Sequence, residues 1–317
     1  MSQLEQMQYQ GIPEAYRPPV EPVAAAGGRH RTTTVEKGGN KRNLLYPDAP
    51  EALPSPVIDN HTHLDFRDGK VNVSVQQAVD AAAAVGVSGL IQVGCDVPSS
   101  RFALKAANEH PQVLAAVAIH PNDAARLAEV GELEQAIEVI EELASEPRVR
   151  AIGETGLDYY RTGDEGRPAQ EESFRRHIEI ATRHGKALQI HDRDAHEDVV
   201  RVLLDSELPD KVVFHCFSGD GELARICNEN GWYMSFAGTA TFKNSTGIQQ
   251  ALALAKPELI LVETDAPFLT PHPFRGRPNA SYMIPYTVRF IADHRRNGLL
   301  ETCEQIMANS LEVYGAF

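Results

Sequence analysis

The chain has 317 residues, 42% hydrophobic and 23% charged, a balance that excludes wholesale disorder and any fibrous class and suffices for a sizeable core. Its formal net charge of −14 excludes nonspecific attraction to nucleic acid or anionic lipid, so an anionic substrate would need locally bound cations. No apolar run reaches the roughly 18 residues of a membrane span, and the first ten residues lack a secretory pattern. The cysteines, Cys95, Cys216, Cys227 and Cys303, lie far apart, which points to a reducing, cytoplasmic setting rather than a disulfide framework.

Residues 1–56 stand apart from the rest. They hold eight of the 20 prolines, the pairs Gly27-Gly28 and Gly38-Gly39, and six acidic against six basic residues. With no helical or strand period there, the segment is expected to form a mostly irregular, extended N-terminal arm, packed over the domain surface in places. Its basic stretch from Arg29 to Arg42 reads as a solvated tail, with contact to a phosphate backbone as the other reading. Removing the arm is expected to leave catalysis nearly unchanged.

From Val57 a regular beat begins. Short apolar runs predict buried strands at 57–59, 89–93, 114–119, 149–153, 187–190, 212–214, 233–236 and 259–262. Between them, helical periodicity predicts helices at 75–85, 101–110, 133–144, 170–184, 196–204, 222–230 and 248–255, with closing helices at 282–297 and 301–314. Strand and helix alternating eight times without a hairpin signal argue for a parallel sheet. Over residues 57–317 that pattern fits a TIM (β/α)8 barrel better than an open doubly wound sheet. Neither a Gly-x-Gly-x-x-Gly turn nor a Gly-x-x-x-x-Gly-Lys loop follows the first strand, which removes the commonest nucleotide-cradling readings.

Barrel enzymes place their catalysts at the C-terminal strand ends. The first strand ends in Asp59-Asn60-His61-Thr62-His63-Leu64-Asp65. Residues two apart in extended chain point the same way, so His61 and His63 can present two imidazoles to one metal. Strand four ends at Glu154, strand five at His191, strand six at His215-Cys216 and strand eight at Glu263-Thr264-Asp265. Each residue alone has a plain structural account: a lone His-x-His is commonly incidental, and a strand-terminal glutamate is commonly a cap. Cys216 reads as a small buried hydrophobe, and Asp59 as a group that orients a histidine from behind. Jointly, His61, His63, Glu154, His191, His215 and Asp265 would aim costly polar groups into one cavity unless cations filled it. Two divalent ions about 3.5–4 Å apart, sharing one bridging carboxylate, accommodate this set better than a single tetrahedral zinc. The chemistry implied is metal-assisted hydrolysis, with the bond type open.

Further segments carry a resemblance: Ile152-Gly153-Glu154-Thr155-Gly156-Leu157-Asp158-Tyr159-Tyr160, Phe214-His215-Cys216-Phe217-Ser218-Gly219, Ser235-Phe236-Ala237-Gly238-Thr239 with Phe242-Lys243-Asn244, and Val262-Glu263-Thr264-Asp265-Ala266-Pro267-Phe268-Leu269-Thr270-Pro271. With the first-strand motif, they resemble the TatD-type metal-dependent hydrolases (TatD deoxyribonucleases) of the amidohydrolase superfamily, over essentially all of 57–317. The resemblance implies a binuclear site with His61 and His63 on one metal and His191 and His215 on the other. Glu154 would bridge, where many amidohydrolases carry a carbamylated lysine. Asp265 would complete the first metal's shell and take a proton from the nucleophilic water. The implied activity is hydrolysis of DNA phosphodiester bonds as a 3′-to-5′ exonuclease. Its metals would be zinc, magnesium or manganese, and its partners nucleic acid ends, DNA or also RNA, with no membrane and no obligate protein partner.

The chain departs from the family pattern where substrate is gripped. In Ala118-Ile119-His120-Pro121-Asn122, Asn122 stands where the family often has a second histidine and would still donate a hydrogen bond to phosphate. Ala280-Ser281 follow Asn279 where Glu-Pro is common. Expected substrate-binding residues are His120, Arg193, Lys243 and Arg275, with Arg161 and Arg277 in loops beside them. The alternative activity is an amidohydrolase acting on a small ester, lactone or cyclic amide, although a neutral amide would not need Lys243 and Arg275. A third reading, a non-catalytic metal-binding scaffold working through the arm, has the complete ligand set against it.

Overall fold

The eight main strands are β1 (Val57–Thr62), β2 (Val87–Val93), β3 (Val113–Val117), β4 (Val149–Asp158), β5 (Ala187–Arg193), β6 (Val212–Phe214), β7 (Tyr233–Phe236) and β8 (Ile260–Val262). In this computed structural model, which describes residues 9–18, 29–31, 34–35, 39 and 41–317, they lie side by side in chain order. Every neighbouring pair is parallel. A parallel bridge between Thr62 and Ala266 joins the first strand to the chain just beyond the last. Asp265 N–H donates to His61 O and His63 N–H to Ala266 O, each at 2.9 Å. The result is the expected TIM barrel.

The helices are α1 (Val75–Ala83), α2 (Val97–Glu109), α3 (Pro121–Glu129), α4 (Leu133–Ala144), α5 (Arg167–His184), α6 (His196–Leu204), α7 (Gly221–Asn230), α8 (Thr246–Leu254), α9 (Ile284–Arg295) and α10 (Leu299–Tyr314). Caps set their starts: Ser74 forms a capping box with Gln77 ahead of α1, and Asp96 does so with Ser99 ahead of α2. The strands are apolar and almost wholly buried because helices cover the barrel outside and side chains fill it inside. Among the described residues no helix is long and apolar enough to cross a membrane.

Two elements exceed the predictions and both shape the mouth. The helix α3 follows β3, with Pro121 in its first turn and His120 as cap, its Nδ1 accepting the Asn122 N–H at 3.1 Å. Strand β4 runs on to Asp158 because, after a register shift, Thr155, Gly156, Leu157 and Asp158 pair with Ile190, His191, Asp192 and Arg193. Only glycine permits that approach: Gly156 has φ +138°, and a Cβ there would sit 2.1 Å from His191 O.

The described parts of the arm are docked. Tyr16 packs against Tyr46 and Tyr282, with ring centroids 4.7 and 5.0 Å away, and Ile12 and Leu53 are also buried. Arg277 donates to the carbonyls of Leu45 (2.8 Å) and Tyr46 (2.6 Å), and Tyr282 Oη to Pro47 O (2.7 Å). The solvated-tail reading of the basic stretch fails at three arginines. Arg29 pairs with Asp65, while Arg31 and Arg42 meet Asp68. Those two aspartates follow β1 at the barrel mouth, a juxtaposition that composition does not reveal.

Candidate metal centre

Glu154, near the middle of β4, is the hub. Its Oε1 lies 2.6 Å from His191 Nδ1 at the end of β5, 3.0 Å from His215 Nε2 beyond β6 and 3.4 Å from His120 Nε2. Its Oε2 faces the β1 pair, 3.6 Å from His61 Nε2 and 3.8 Å from His63 Nε2. One carboxylate therefore turns one oxygen to each set of histidines. Burial pushes its carboxyl up, but the His215 and His120 imidazoles outweigh that and hold it well below the usual carboxylate range.

Asp265 closes the β1 side. Its φ of 52° lies in the left-handed region, where aspartate is among the tolerated residues. This turn, pinned by its N–H on His61 O, brings Oδ1 to 3.3 Å from His63 Nε2 and 3.9 Å from His61 Nε2. His63 Nδ1 faces the carbonyl of Val93 at 3.0 Å and must donate to it, which leaves Nε2 as the free lone pair. The His61 ring stacks on His215 with centroids 3.8 Å apart.

Buried carboxylates hold the rings from behind, though not the one expected. Asp59 accepts from Thr264 N–H (2.9 Å) and Thr264 Oγ1 (2.6 Å), and meets His61 only through the backbone N–H at 3.4 Å. It braces the turn that carries Asp265 instead of orienting a histidine, and burial pushes its carboxyl up to about 7. The orienting groups are Glu263, 3.1 Å from His215 Nδ1, and Asp158, 3.2 Å from His191 Nε2. Neither stands out as a ring support in the sequence. Glu263 shares a face with Asp265 by the two-residue period, and that is its available signal. Burial opposes charge on His215 and His191, yet the facing carboxylates outweigh it and raise both rings. Cys95, just beyond β2, is a further member that no motif marks; its Sγ lies 3.5 Å from Glu154 Oε2.

These residues fit divalent cations. The Nε2 atoms of His61 and His63 face each other at 3.3 Å, and the carboxylates beside them offer acceptors only. Imidazole nitrogens and carboxylate oxygens crowded this closely suit a positive centre between them. Potential ligand atoms cluster within 4.8 Å in the groups His61, His63 and Asp265, and Glu154, His191 and His215. All six predicted ligands are thus in one cluster, four of them buried and His191 and Asp265 half-buried.

The predicted substrate residues divide. His120 is inside the cluster, its ring 4.5 Å from that of His191. Arg193 lies on the rim, its guanidinium 4.0 Å over the Tyr160 ring, and Arg275 is exposed, 4.5 Å over Phe242 with Lys243 exposed beside it. Asn122 departs from expectation: its amide donates to Asp158 Oδ2 at 3.0 Å and accepts from Thr162 at 2.8 Å. Arg277 is spent on arm carbonyls, as described above, while Arg161 is exposed.

A parallel barrel whose strand ends gather histidines and carboxylates around one shared glutamate defines a metal-dependent hydrolase. The particular family follows from sequence: the model described as TatD related DNase matches residues 58–315, and the chain belongs to that family. It is 41% identical over 263 residues to a Mycobacterium tuberculosis protein named uncharacterized metal-dependent hydrolase TatD, covering 82% of this chain and 98% of that one. To the uncharacterized metal-dependent hydrolase YabD of Bacillus subtilis it is 35% identical, covering 75% and 90% of the two chains. The crystal structure of YjjV, a TatD homolog from Escherichia coli, superposes with a TM-score of 0.73 at 23% identity, over 81% of this chain and 97% of that one.

Proposed function

We propose that the chain is a binuclear, divalent-metal-dependent phosphodiesterase that trims DNA strand ends as a 3′-to-5′ exonuclease in the cytoplasm, without an obligate protein partner. The observation that supports it most is the division of Glu154, Oε1 toward His191 and His215 and Oε2 toward His61 and His63. Two cations, one among His61, His63, Glu154 and Asp265 and one among Glu154, His191 and His215, would supply an activated water and neutralise phosphate charge. The imidazole-rich set favours zinc, whereas phosphate oxygens favour magnesium or manganese.

The chain's own groups do the rest. Asp265, with 15% of its side chain exposed against 7% for Glu154, is the carboxylate open to the cavity and takes the water's proton. His120 accepts the Asn122 N–H at Nδ1, so its Nε2 carries the hydrogen and donates to a phosphate oxygen. Arg193, Lys243 and Arg275 hold the strand at the rim. The net charge of −14 disfavours long duplex, and a strand end needs few phosphate contacts.

The test is digestion of end-labelled single- and double-stranded DNA, and of RNA of the same sequence, by chelator-stripped protein resupplied with zinc, magnesium or manganese. Metal-dependent shortening from the 3′ end, lost in Asp265→Asn, is expected. Hydrolysis of a lactone or cyclic amide without DNA cleavage would transfer the assignment to the amidohydrolase reading. Metal retention with no hydrolysis of any substrate would leave a scaffold.

A further inference from the structure

Arg29 and Arg31 precede the family match at 58–315, yet they stand against the wall of the metal centre. Arg29–His30 pair in parallel with Phe66–Arg67, and Arg31 N–H donates to Arg67 O at 2.8 Å. The arm thereby runs beside the loop that leaves β1 directly after His63. The Arg29 guanidinium lies 5.2 Å over the Phe66 ring and that of Arg31 5.4 Å over Phe268. The two rings meet at 5.1 Å, and Phe268 stands 6.5 Å from the His63 imidazole. Arg31 is thus one ring, and Arg29 two rings, away from the candidate ligand His63.

Asp65 takes Arg29 at 2.8 Å, whereas Asp68 is shared between Arg42, bonded at 2.5 and 3.1 Å, and Arg31 at 3.4 Å. Among the described residues, Arg31 and Arg42 thus crowd one carboxylate beside the Arg29–Asp65 pair, at the mouth of an acidic protein. The Arg29 and Arg31 side chains keep 31% and 26% of their surface open. Planar cations laid on aromatic faces are held ready for phosphate oxygens and for stacking against bases.

We propose that Arg29 and Arg31 form a subsite for the phosphates of a single-stranded polynucleotide beyond the scissile one, which makes the arm a determinant of substrate length. The proposal rests on the nuclease reading above.

The experiment uses the full-length, metal-loaded protein and the variants Arg29→Gln/Arg31→Gln and Arg29→Lys/Arg31→Lys. Arg126→Gln, on the exposed face of α3 where Arg126 pairs with Asp123, serves as control. Binding of a fluorescein-labelled single-stranded hexanucleotide is followed by anisotropy at several salt concentrations, and kcat and KM are measured on di- and hexanucleotides. The Gln pair is expected to bind the hexanucleotide about tenfold more weakly and to lower the salt slope by about 1.4, or about 0.7 per lost single-strand phosphate contact. The loss should fall on KM and be larger for the hexanucleotide than for the dinucleotide. The Lys pair should restore the salt slope.

An unchanged hexanucleotide affinity and slope in the Gln pair, with wild type cleaving DNA, overturns the subsite alone. So does an equal loss on both substrate lengths, or a folded Lys pair whose slope matches that of the Gln pair. A wild-type protein that cleaves no phosphodiester overturns the nuclease reading and the subsite with it.

Discussion

His215 Nδ1 lies 3.1 Å from Glu263 Oε1, and the same oxygen accepts the Cys216 N–H at 2.8 Å. The other oxygen, Oε2, takes the Ser235 hydroxyl of β7 at 2.5 Å, so one fully buried carboxylate ties together the ends of β6, β7 and β8. A carboxylate at Nδ1 makes that nitrogen the donor and turns Nε2 toward Glu154 as a lone pair.

Glu263→Gln preserves the shape but replaces one acceptor oxygen with an NH2 that faces existing donors. The affinity for the metal held by His215 should fall by about 10–100-fold, while far-ultraviolet circular dichroism stays unchanged. Calorimetric metal titration measures this. Unaltered affinity would mean that Glu263 does not set the ring.

Asp265 and Glu154 should separate by function. Asp265→Asn keeps one acceptor oxygen but abolishes basicity, so kcat at saturating metal should drop by about 10²–10⁴ with metal still bound. Glu154→Ala removes the group facing both histidine sets and should lose metal content as well as rate. Elemental analysis after dialysis, beside kinetics, checks both. Near-wild-type turnover in Asp265→Asn would remove Asp265 as proton acceptor.

Much of this architecture is legible in the sequence because it is periodic. The apolar strands from Val57 onward announce a parallel barrel, and His61, His63, Glu154, His191, His215 and Asp265 announce themselves by ending strands. What escapes depends on partners distant in the chain. Asp59 looks like a histidine's support until Thr264, 205 residues later, is found opposite it. The fourth strand is expected to end at Glu154, whereas pairing with β5 carries it on to Asp158. The helix α3 hides because its cap is a histidine and its buried face is mostly alanine. In the arm, Tyr16 and Tyr46 belong to no period, and only docking on Tyr282 buries them.

A buried histidine away from the metal cluster sets an acid limit on stability. His177 accepts the Ile119 N–H at Nε2 (3.0 Å) and donates through Nδ1 to Ser173 O (2.7 Å), which requires the neutral ring. Burial lowers its pKa from 6.5 to about 4. Because the unfolded chain binds this proton more readily, the stability from the neutral ring is complete above about pH 7. It is lost as pH falls toward 4, amounting to about 2 kcal/mol by pH 5. His177→Gln offers the same acceptor and donor without titrating. Chemical denaturation at pH 8 and pH 5 should show a smaller acid loss in the variant by that amount. Equal losses in both proteins would exclude His177 as the source.

The arm's hold on the barrel is concentrated in Arg42. Its guanidinium bonds both oxygens of Asp68, at 3.1 and 2.5 Å, and its Nε donates to Gly276 O at 2.8 Å. The exposures of 7% and 1% leave little water for either charge. Breaking a buried pair from one side leaves the partner's charge uncompensated, at a cost of about 3–5 kcal/mol. Arg31, at 3.4 Å from Asp68, offsets part of that, so Arg42→Ala should lie near the lower end. Arg42→Met combined with Asp68→Asn removes both charges and should cost much less, since no lone ion remains. The same reasoning gives the arm a part in stability, apart from the expectation that its removal leaves catalysis nearly unchanged. Removing residues 1–56 strips Asp68 of its arginines and uncovers Tyr282, now wholly buried beneath Tyr16, so the truncated chain should melt well below wild type. Differential scanning calorimetry of the three proteins decides the matter, and an Arg42→Ala midpoint equal to that of the double variant would show that the pair does not anchor the arm.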